Sequence, residues 1–336
     1  MATIHDVARH AGVAPITVSR VINRSGYFSE DTRQRVEAAI AELGYVPNRL
    51  ARSLRSKRTN TLALVLTDIT NPFFTTVARG VEDVASDAGF TVIFCNTDES
   101  ETEEQKYLHV LLQQQVDGIL LVPASSMLES VDMIQRQGTP VVVLDRKMPL
   151  ETNVDVVRCE NVDGAYRLVK LLIELGHRHI AVISGPRVVS TAEDRVTGYY
   201  RAMLEAGLAV EGDFIHYGNF TQASGYELAN RLLALNPRPT AIFAANNLIG
   251  IGALKALQDA GLRVPEDVAM VSYDDLPANL MTFPFFTVAV QPAYEMACKA
   301  TQLLLARLAG QAPAECQEVV LPTEIVVRQS SGQNRQ

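Results

Sequence analysis

Eight short apolar runs constrain the fold of this chain more than any other feature. The first series starts at Thr61 and reads TLALVLTD, TVIFCN, GILLVP and PVVVLD; the second starts at His179 and reads HIAVISG, FIHYGN, TAIFAAN and DVAMVSYD. Runs of Val, Ile and Leu without polar alternation belong to strands buried on both faces, and the helical spacing between them supplies the cover. Two series of about four strands each predict two doubly wound parallel-sheet lobes. In open α/β sheets ligands sit beyond the carboxyl ends of the strands, so the residues that close the strands form the candidate site. These are Asn71, Phe73 and Phe74 after the first strand and Asp145 and Arg146 after the fourth. In the second half they are Arg195, Phe220, Asn246, Asp274 and Gln291.

That set has a coherent chemistry. Carboxylate, guanidinium and amide groups bind the hydroxyls of a polyol from several directions, and Phe rings cover the apolar faces of a sugar ring. Each residue also has a plainer role open to it. One of Phe73 and Phe74 could be core, Asp145 and Arg146 could pair with each other at the surface, and Asn246 and Asp274 could cap the turns after their strands.

The first fifty-odd residues follow a different pattern. Ile4, Val7, Ala8 and Ala11 form one apolar face of a two-turn helix that Gly12 ends. A second short helix opens at Pro15 and buries Val18, Val21 and Ile22. Two short helices joined by a glycine turn are the helix-turn-helix signature, in which the second helix enters the DNA major groove. Pro15, Ile16, Thr17, Ser19 and Arg20 are then the readers of bases. A third helix is capped by Ser29, carries Glu30 and Asp31 in its first turn, packs Val36, Ile40 and Leu43 inward, and stops at Gly44. The stretch VPNRLARSL reads as one more short helix, capped by Asn48, with Leu50, Ala51 and Leu54 on one side. Charge separates the two regions. Met1 to Arg58 holds 10 Lys+Arg against 5 Asp+Glu, about +5, while the remainder holds 20 against 33, about −13.

Other function classes fit poorly. The N-terminus has no basic region followed by an apolar run, and no apolar stretch approaches the ~18 residues of a membrane span, so a cytoplasmic protein with no membrane partner is expected. Cys95, Cys159, Cys298 and Cys316 are widely spaced, which argues for reduced thiols and against a metal site. For an enzyme, the only glycine-rich candidate is Gly250 to Gly252, which lacks the third glycine and the lysine of nucleotide loops. None of the six histidines stands in a catalytic arrangement, so neither catalysis nor a cofactor is expected.

The segments DVARHAGVAPITVSRVIN and TRQRVEAAIAELGYVPN and the basic stretch after them resemble the DNA-binding headpiece and hinge of the lactose-repressor (LacI/GalR) family. The likeness continues through the rest of the chain, which is similar to that family's periplasmic-binding-protein-like core, two lobes joined by three crossings. It implies a headpiece at 1–46, a hinge helix and linker at 47–60, and a core at 61–336. Within the core one lobe is expected at about 61–160 and 292–321, the other at about 161–291 and 322–330. The resemblance adds Thr3, Asn23, Asn48, Leu50 and Ala51 to the DNA-facing set, and makes Leu54 the wedge that enters the minor groove when two hinges pair on DNA. It adds Thr191 to the effector site and matches NPFF, LDR, Arg195, Phe220, Asn246, Asp274 and Gln291 to ribose-type ligand positions.

Purine-type repressors share Thr191, Arg195, Phe220 and Asp274 but carry Arg where this chain has Val189, which favours a sugar such as ribose over a nucleobase corepressor. Two positions depart from the family. Ala14 replaces the usual Ser or Thr cap of the recognition helix, and Asn247 replaces an Asp and is expected to cap the next helix. Only SSGQNRQ follows the last strand-like run, LPTEIVVRQ, so the expected assembly is a homodimer on a pseudo-palindromic operator, not a tetramer held by a leucine heptad. The basic headpiece predicts that operator affinity, titrated at increasing salt, falls steeply as counterions compete for the phosphates; an affinity indifferent to salt would contradict this reading.

Overall fold

The structure, a computed structural model, describes residues 2–23, 25–46, 58–126, 128–149, 152–276 and 284–332. It divides into two compact units, Met1–Thr59 and Asn60–Gln336.

In the first unit, α1 (Ile4–Ala11), α2 (Pro15–Ile22) and α3 (Glu30–Leu43) bury Val7, Ala8, Ala11, Val18, Val21, Val36 and Ala39 together. Local chemistry sets their ends. The Thr3 hydroxyl accepts from the Asp6 N–H while the Asp6 carboxylate accepts from the Thr3 N–H, a reciprocal cap. Gly12 and Gly44 leave α1 and α3 at φ 64° and 56°, a left-handed conformation that costs glycine little. Ser29 accepts from the Thr32 N–H at 3.2 Å. Ala14, as the sequence implies, gives α2 no side-chain cap. Ile40 and Leu43 pack half-buried against this core, as expected, and Ala39 adds a fully buried position. The hinge helix expected around Asn48, Leu50, Ala51 and Leu54 lies outside the described residues.

In the second unit, one lobe runs β1 (Thr61–Leu66), α4 (Pro72–Asp87), β2 (Thr91–Asn96), α5 (Glu101–Gln113), β3 (Gly118–Leu121), α6 (Glu129–Arg136), β4 (Val141–Leu144) and β5 (Asp155–Cys159). The other runs α7 (Asn161–Glu174), β6 (Ile180–Ser184), α8 (Ser190–Glu205), β7 (Ile215–Tyr217), α9 (Gln222–Leu233), β8 (Ala241–Ala244), α10 (Asn247–Asp259), β9 (Ala269–Tyr273) and β10 (Thr287–Val290). The chain then returns with α11 (Ala293–Leu308) and β11 (Glu318–Leu321) to the first sheet and ends with β12 (Glu324–Val326) on the second. It crosses between the lobes three times, after β5, β10 and β11.

Each sheet has six strands, in the orders β11-β5-β4-β3-β1-β2 and β12-β10-β9-β8-β6-β7, parallel throughout except for β12 against β10. The expectation of about four per lobe is therefore corrected. β5 and β10 are brief runs beside the crossings, β11 is an edge strand with alternating burial, and β12 has three residues, so none gives a long apolar signal. Both faces of both sheets are covered. Leu62, Leu64 and Leu66 face α4 and α11, whereas Ala63 and Val65 pack with Leu108 and Ile134 on the other side. The second lobe repeats this with Val182, Phe243 and Val271 on one face and Ile183, Ile242 and Met270 on the other.

Gly250 to Gly252 lies inside α10 and is a packing device. A Cβ added at Gly252 would fall 2.0 Å from the Gln222 carbonyl oxygen, and one at Gly225 would fall 2.3 Å from that of Ile249, so α9 and α10 meet backbone to backbone. Among the described residues no helix is long and apolar enough to cross a membrane.

Candidate functional site

Between the two lobes, where the carboxyl ends of both sets of strands meet, lies a cleft of about 470 Å³. All eleven residues expected from strand ends and family likeness line it. Asn71 caps α4, its side-chain oxygen accepting from the Phe73 N–H at 3.0 Å. Phe73 and Phe74 form the first turn, packed edge to face with ring centroids 5.0 Å apart. Both line the cleft and both belong to the core of their lobe. Phe220 follows β7 and occupies space that only a glycine at 185 leaves open, since a Cβ there would fall 2.3 Å from its ring. Thr191 opens α8, Asn246 precedes α10, and Gln291 follows β10. Asp145 and Asp274 turn the chain after β4 and β9 at φ 69° and 62°, a left-handed conformation that Asp tolerates better than most residues.

The charged groups pair differently from the simplest expectation. Asp145 and Arg146 are both buried, not at the surface, and the ion pair of Arg146 is with Glu99 at 2.6 Å. The same guanidinium also donates to the Pro123 carbonyl. On the opposite wall Arg195 donates to the side-chain oxygen of Asn161 at 2.9 Å and to the Ala245 carbonyl at 2.6 Å, with Asp274 at 3.7 Å. Its guanidinium stacks on the Tyr273 ring at 3.8 Å. Gln291 donates to Asp274 at 2.7 Å.

Burial pushes the Asp145 carboxyl up to about 6, although Arg146 and Arg195 pull the other way, and burial likewise raises Asp274 against the pull of Arg195 and the Gln291 hydrogen bond. Five buried polar atoms of residues lining the cleft have no protein partner: Thr67 Oγ1, Asp145 Oδ1, Gln291 Oε1, Arg146 Nε and Glu99 Oε2. Buried polar groups are normally satisfied, so these atoms hold unused hydrogen-bonding capacity that faces the cleft.

Contacts between the lobes flank the cleft. The Asn247 amide donates to the Asn71 side-chain oxygen at 3.1 Å. Lys147 donates to Asp194 at 2.8 Å through its ammonium and to Ser190 at 2.8 Å through its N–H. The helix cap expected at Asn247 falls on Asn246, whose side-chain oxygen accepts from the Ile249 N–H at 2.8 Å. Asn247 is thereby available to reach across. Lining residues that the sequence reading did not single out include Thr67, Asp68, Asp98, Glu99 and Asn219. Asp98 and Glu99 directly follow β2, so the strand-end rule applied to every strand would have found them.

In the first unit, Pro15, Ile16, Arg20 and Asn23 are exposed, and Thr17 and Ser19 half-buried, while Val18 and Val21 face inward. Ile16 is 51 % exposed on the face of α2 opposite the buried Val18 and Val21. The Asn23 amide donates to the Ser19 carbonyl at 2.7 Å and holds the end of this helix. Thr3 holds the start of α1 in the same manner, by capping it. Tyr27, 92 % exposed just beyond α2, is a further candidate that spacing alone does not reveal.

Comparison with known proteins agrees with both halves. Residues 3–48 match the family described as bacterial regulatory proteins, lacI family, and residues 59–311 match the periplasmic binding proteins and sugar binding domain of LacI family. A ribose operon repressor from Halalkalibacterium halodurans is 37% identical over 98% of this chain and 97% of its own length. A purine-type repressor, PurR of Photobacterium profundum, is 35% identical over 98% of each chain. Among solved structures, the transcriptional regulator CelR in complex with cellobiose is 37% identical, covering 98% of this chain and 100% of that one with a TM-score of 0.75. The lac repressor dimer bound to operator and the anti-inducer ONPF is 27% identical, covering 98% and 99% with a TM-score of 0.86.

The raised Asp145 carboxyl has a consequence for stability. Native Asp145 holds its proton up to about pH 6, against 3.8 for the free group, so its burial costs nothing below about pH 4 and the full penalty above about pH 6. Asp145→Asn, which suits the same backbone conformation, should melt higher than wild type at pH 7, by up to roughly 2–3 kcal/mol, with the gain vanishing near pH 4. Thermal denaturation from pH 4 to 8 checks this; an increment that does not change with pH would refute it.

Proposed function

Because the chain belongs to the LacI family of bacterial transcriptional regulators, we propose that it controls its genes in response to a small neutral sugar of the ribose type held between the lobes. The chain is a DNA-binding regulator and not an enzyme. Its reading surface is assigned to the outer face of α2, with Pro15, Ile16, Thr17, Ser19 and Arg20 in the major groove and Thr3 and Asn23 beside it. Asn48, Leu50, Ala51 and Leu54 of the hinge segment complete the contact in the minor groove. A homodimer reads a pseudo-palindromic operator, one half-site per headpiece.

The observation that carries the sugar assignment is the pairing, in one cleft, of three Phe side chains with buried polar atoms that lack partners. A sugar has apolar ring faces and a hydroxyl rim, which is what such a site accepts. Asp145 Oδ1 and Gln291 Oε1 accept hydroxyl hydrogens, and Arg146 Nε donates to a hydroxyl oxygen. Phe73, Phe74 and Phe220 cover the ring, with Asn71, Thr191, Arg195, Asn246 and Asp274 around its edge. Lobes gripping a ligand gain stability in the closed arrangement, where Asn71 meets Asn247 and Lys147 meets Asp194. The closed arrangement alters how two subunits present their hinges, and so changes operator affinity.

A nucleobase corepressor is the alternative, favoured by the likeness to PurR at 35% identity. Calorimetric titration separates the two. D-Ribose should bind the full-length protein with a dissociation constant in the micromolar range, weakened about ten- to hundredfold by Arg195→Ala or Asp274→Ala. Binding of a purine base such as adenine with no response to ribose would overturn the sugar assignment while leaving the regulator intact.

A further inference from the structure

The carboxylates of the cleft outnumber its cations. Asp68, Asp98, Glu99, Asp145 and Asp274 line it, with Arg146 and Arg195 as the guanidinium groups. Both guanidinium groups are ion-paired, with only Arg146 Nε left over. Arg195 is held by Asn161, the Ala245 carbonyl and Asp274, and Arg146 by the Pro123 carbonyl and Glu99. Glu99 lies in the loop between β2 and α5 and lines the cleft. Asp98 and Glu99 both adopt left-handed backbone, φ 51° and 57°, which costs non-glycine residues energy. The loop is pinned there by Asn96, which accepts from the Ile69 N–H at 2.7 Å and donates to Asp98 at 2.6 Å. The result brings one Glu99 oxygen to Arg146 at 2.6 Å and leaves the other buried without a partner.

Resting on the reading of the cleft as a sugar site, we propose that Glu99 is a specificity residue that restricts it to uncharged sugars and bars phosphorylated or carboxylated ones. One oxygen neutralises Arg146, which would otherwise be the natural anchor for an anion, and the second accepts a hydroxyl hydrogen from the ligand. A phosphate entering the cleft meets an excess of negative charge and two guanidinium groups that each already hold a carboxylate, Arg146 with Glu99 and Arg195 with Asp274.

The test uses the full-length protein and three probes, D-ribose, D-ribose 5-phosphate and inorganic phosphate, read by calorimetry and thermal shift. Wild type should bind ribose and ignore both phosphates. E99Q should gain affinity for both phosphates by about tenfold or more, the effect of removing one unit charge a few ångström away, and bind ribose more weakly. E99D, which keeps the charge, should remain indifferent to phosphate; this separates charge from packing. If E99Q does not melt cooperatively, E99S carries the same test. An E99Q as indifferent to phosphate as wild type, or a wild type that binds ribose 5-phosphate as well as ribose, overturns the proposal. Phosphate gained by E99Q when no form of the protein binds ribose would retain the charge filter and refute the ribose reading instead.

Discussion

Parallel strands all end at the same edge of their sheet, and that constraint governs where this molecule keeps its buried charge. Each sheet is covered on both faces by helices, so its interior is mostly apolar. Polar groups gather where the strands stop, and because the two sheets face each other at those ends, the gathered groups form one cleft. Two arginines and two aspartates are buried there, a costly arrangement unless each is paired. Glu99, Pro123, Asn161, Ala245 and Gln291 provide most of the partners, and the atoms left over are the ones a polyol can satisfy.

The same arrangement suits a switch. Three chain crossings join the lobes, and among the described residues the polar contacts that flank the cleft include Asn247 to Asn71 and Lys147 to Ser190 and Asp194. Hydrogen bonds of this kind contribute about 1 kcal/mol each, so a ligand bridging both walls outweighs them and sets the balance. The Asn247 amide donates to Asn71, a bond that a carboxylate at the same position could not donate.

Much of this was legible in the sequence, for reasons that also explain what was not. Long apolar runs announce β1, β6 and β9, and the residues that close the strands announce the cleft, because chain direction alone puts them there. The helix ends at Thr3, Ser29, Gly12 and Gly44 are equally local. What escaped depends on partners distant in sequence. The pairing of Arg146 with Glu99 joins positions 47 residues apart, and nothing near Arg146 signals it. Asn247 reads as a cap because it precedes a helix, yet Asn246 takes that role and frees its neighbour to cross the cleft. The short strands β5, β10, β11 and β12 are fixed by sheet neighbours more than by their own few residues. Tyr27 stands out only when its exposure is known.

In the proposed mechanism the effector cleft and the DNA-binding headpiece are coupled through one two-state element. Coupling between binding sites is reciprocal, so the factor by which sugar changes operator affinity must equal the factor by which operator changes sugar affinity. The decisive measurement is the affinity of the full-length protein for D-ribose with and without saturating operator DNA. Operator should shift ribose affinity by the same factor that saturating ribose shifts operator affinity in the reverse titration. Ribose that binds equally well to free and operator-bound protein would show two independent sites and contradict it.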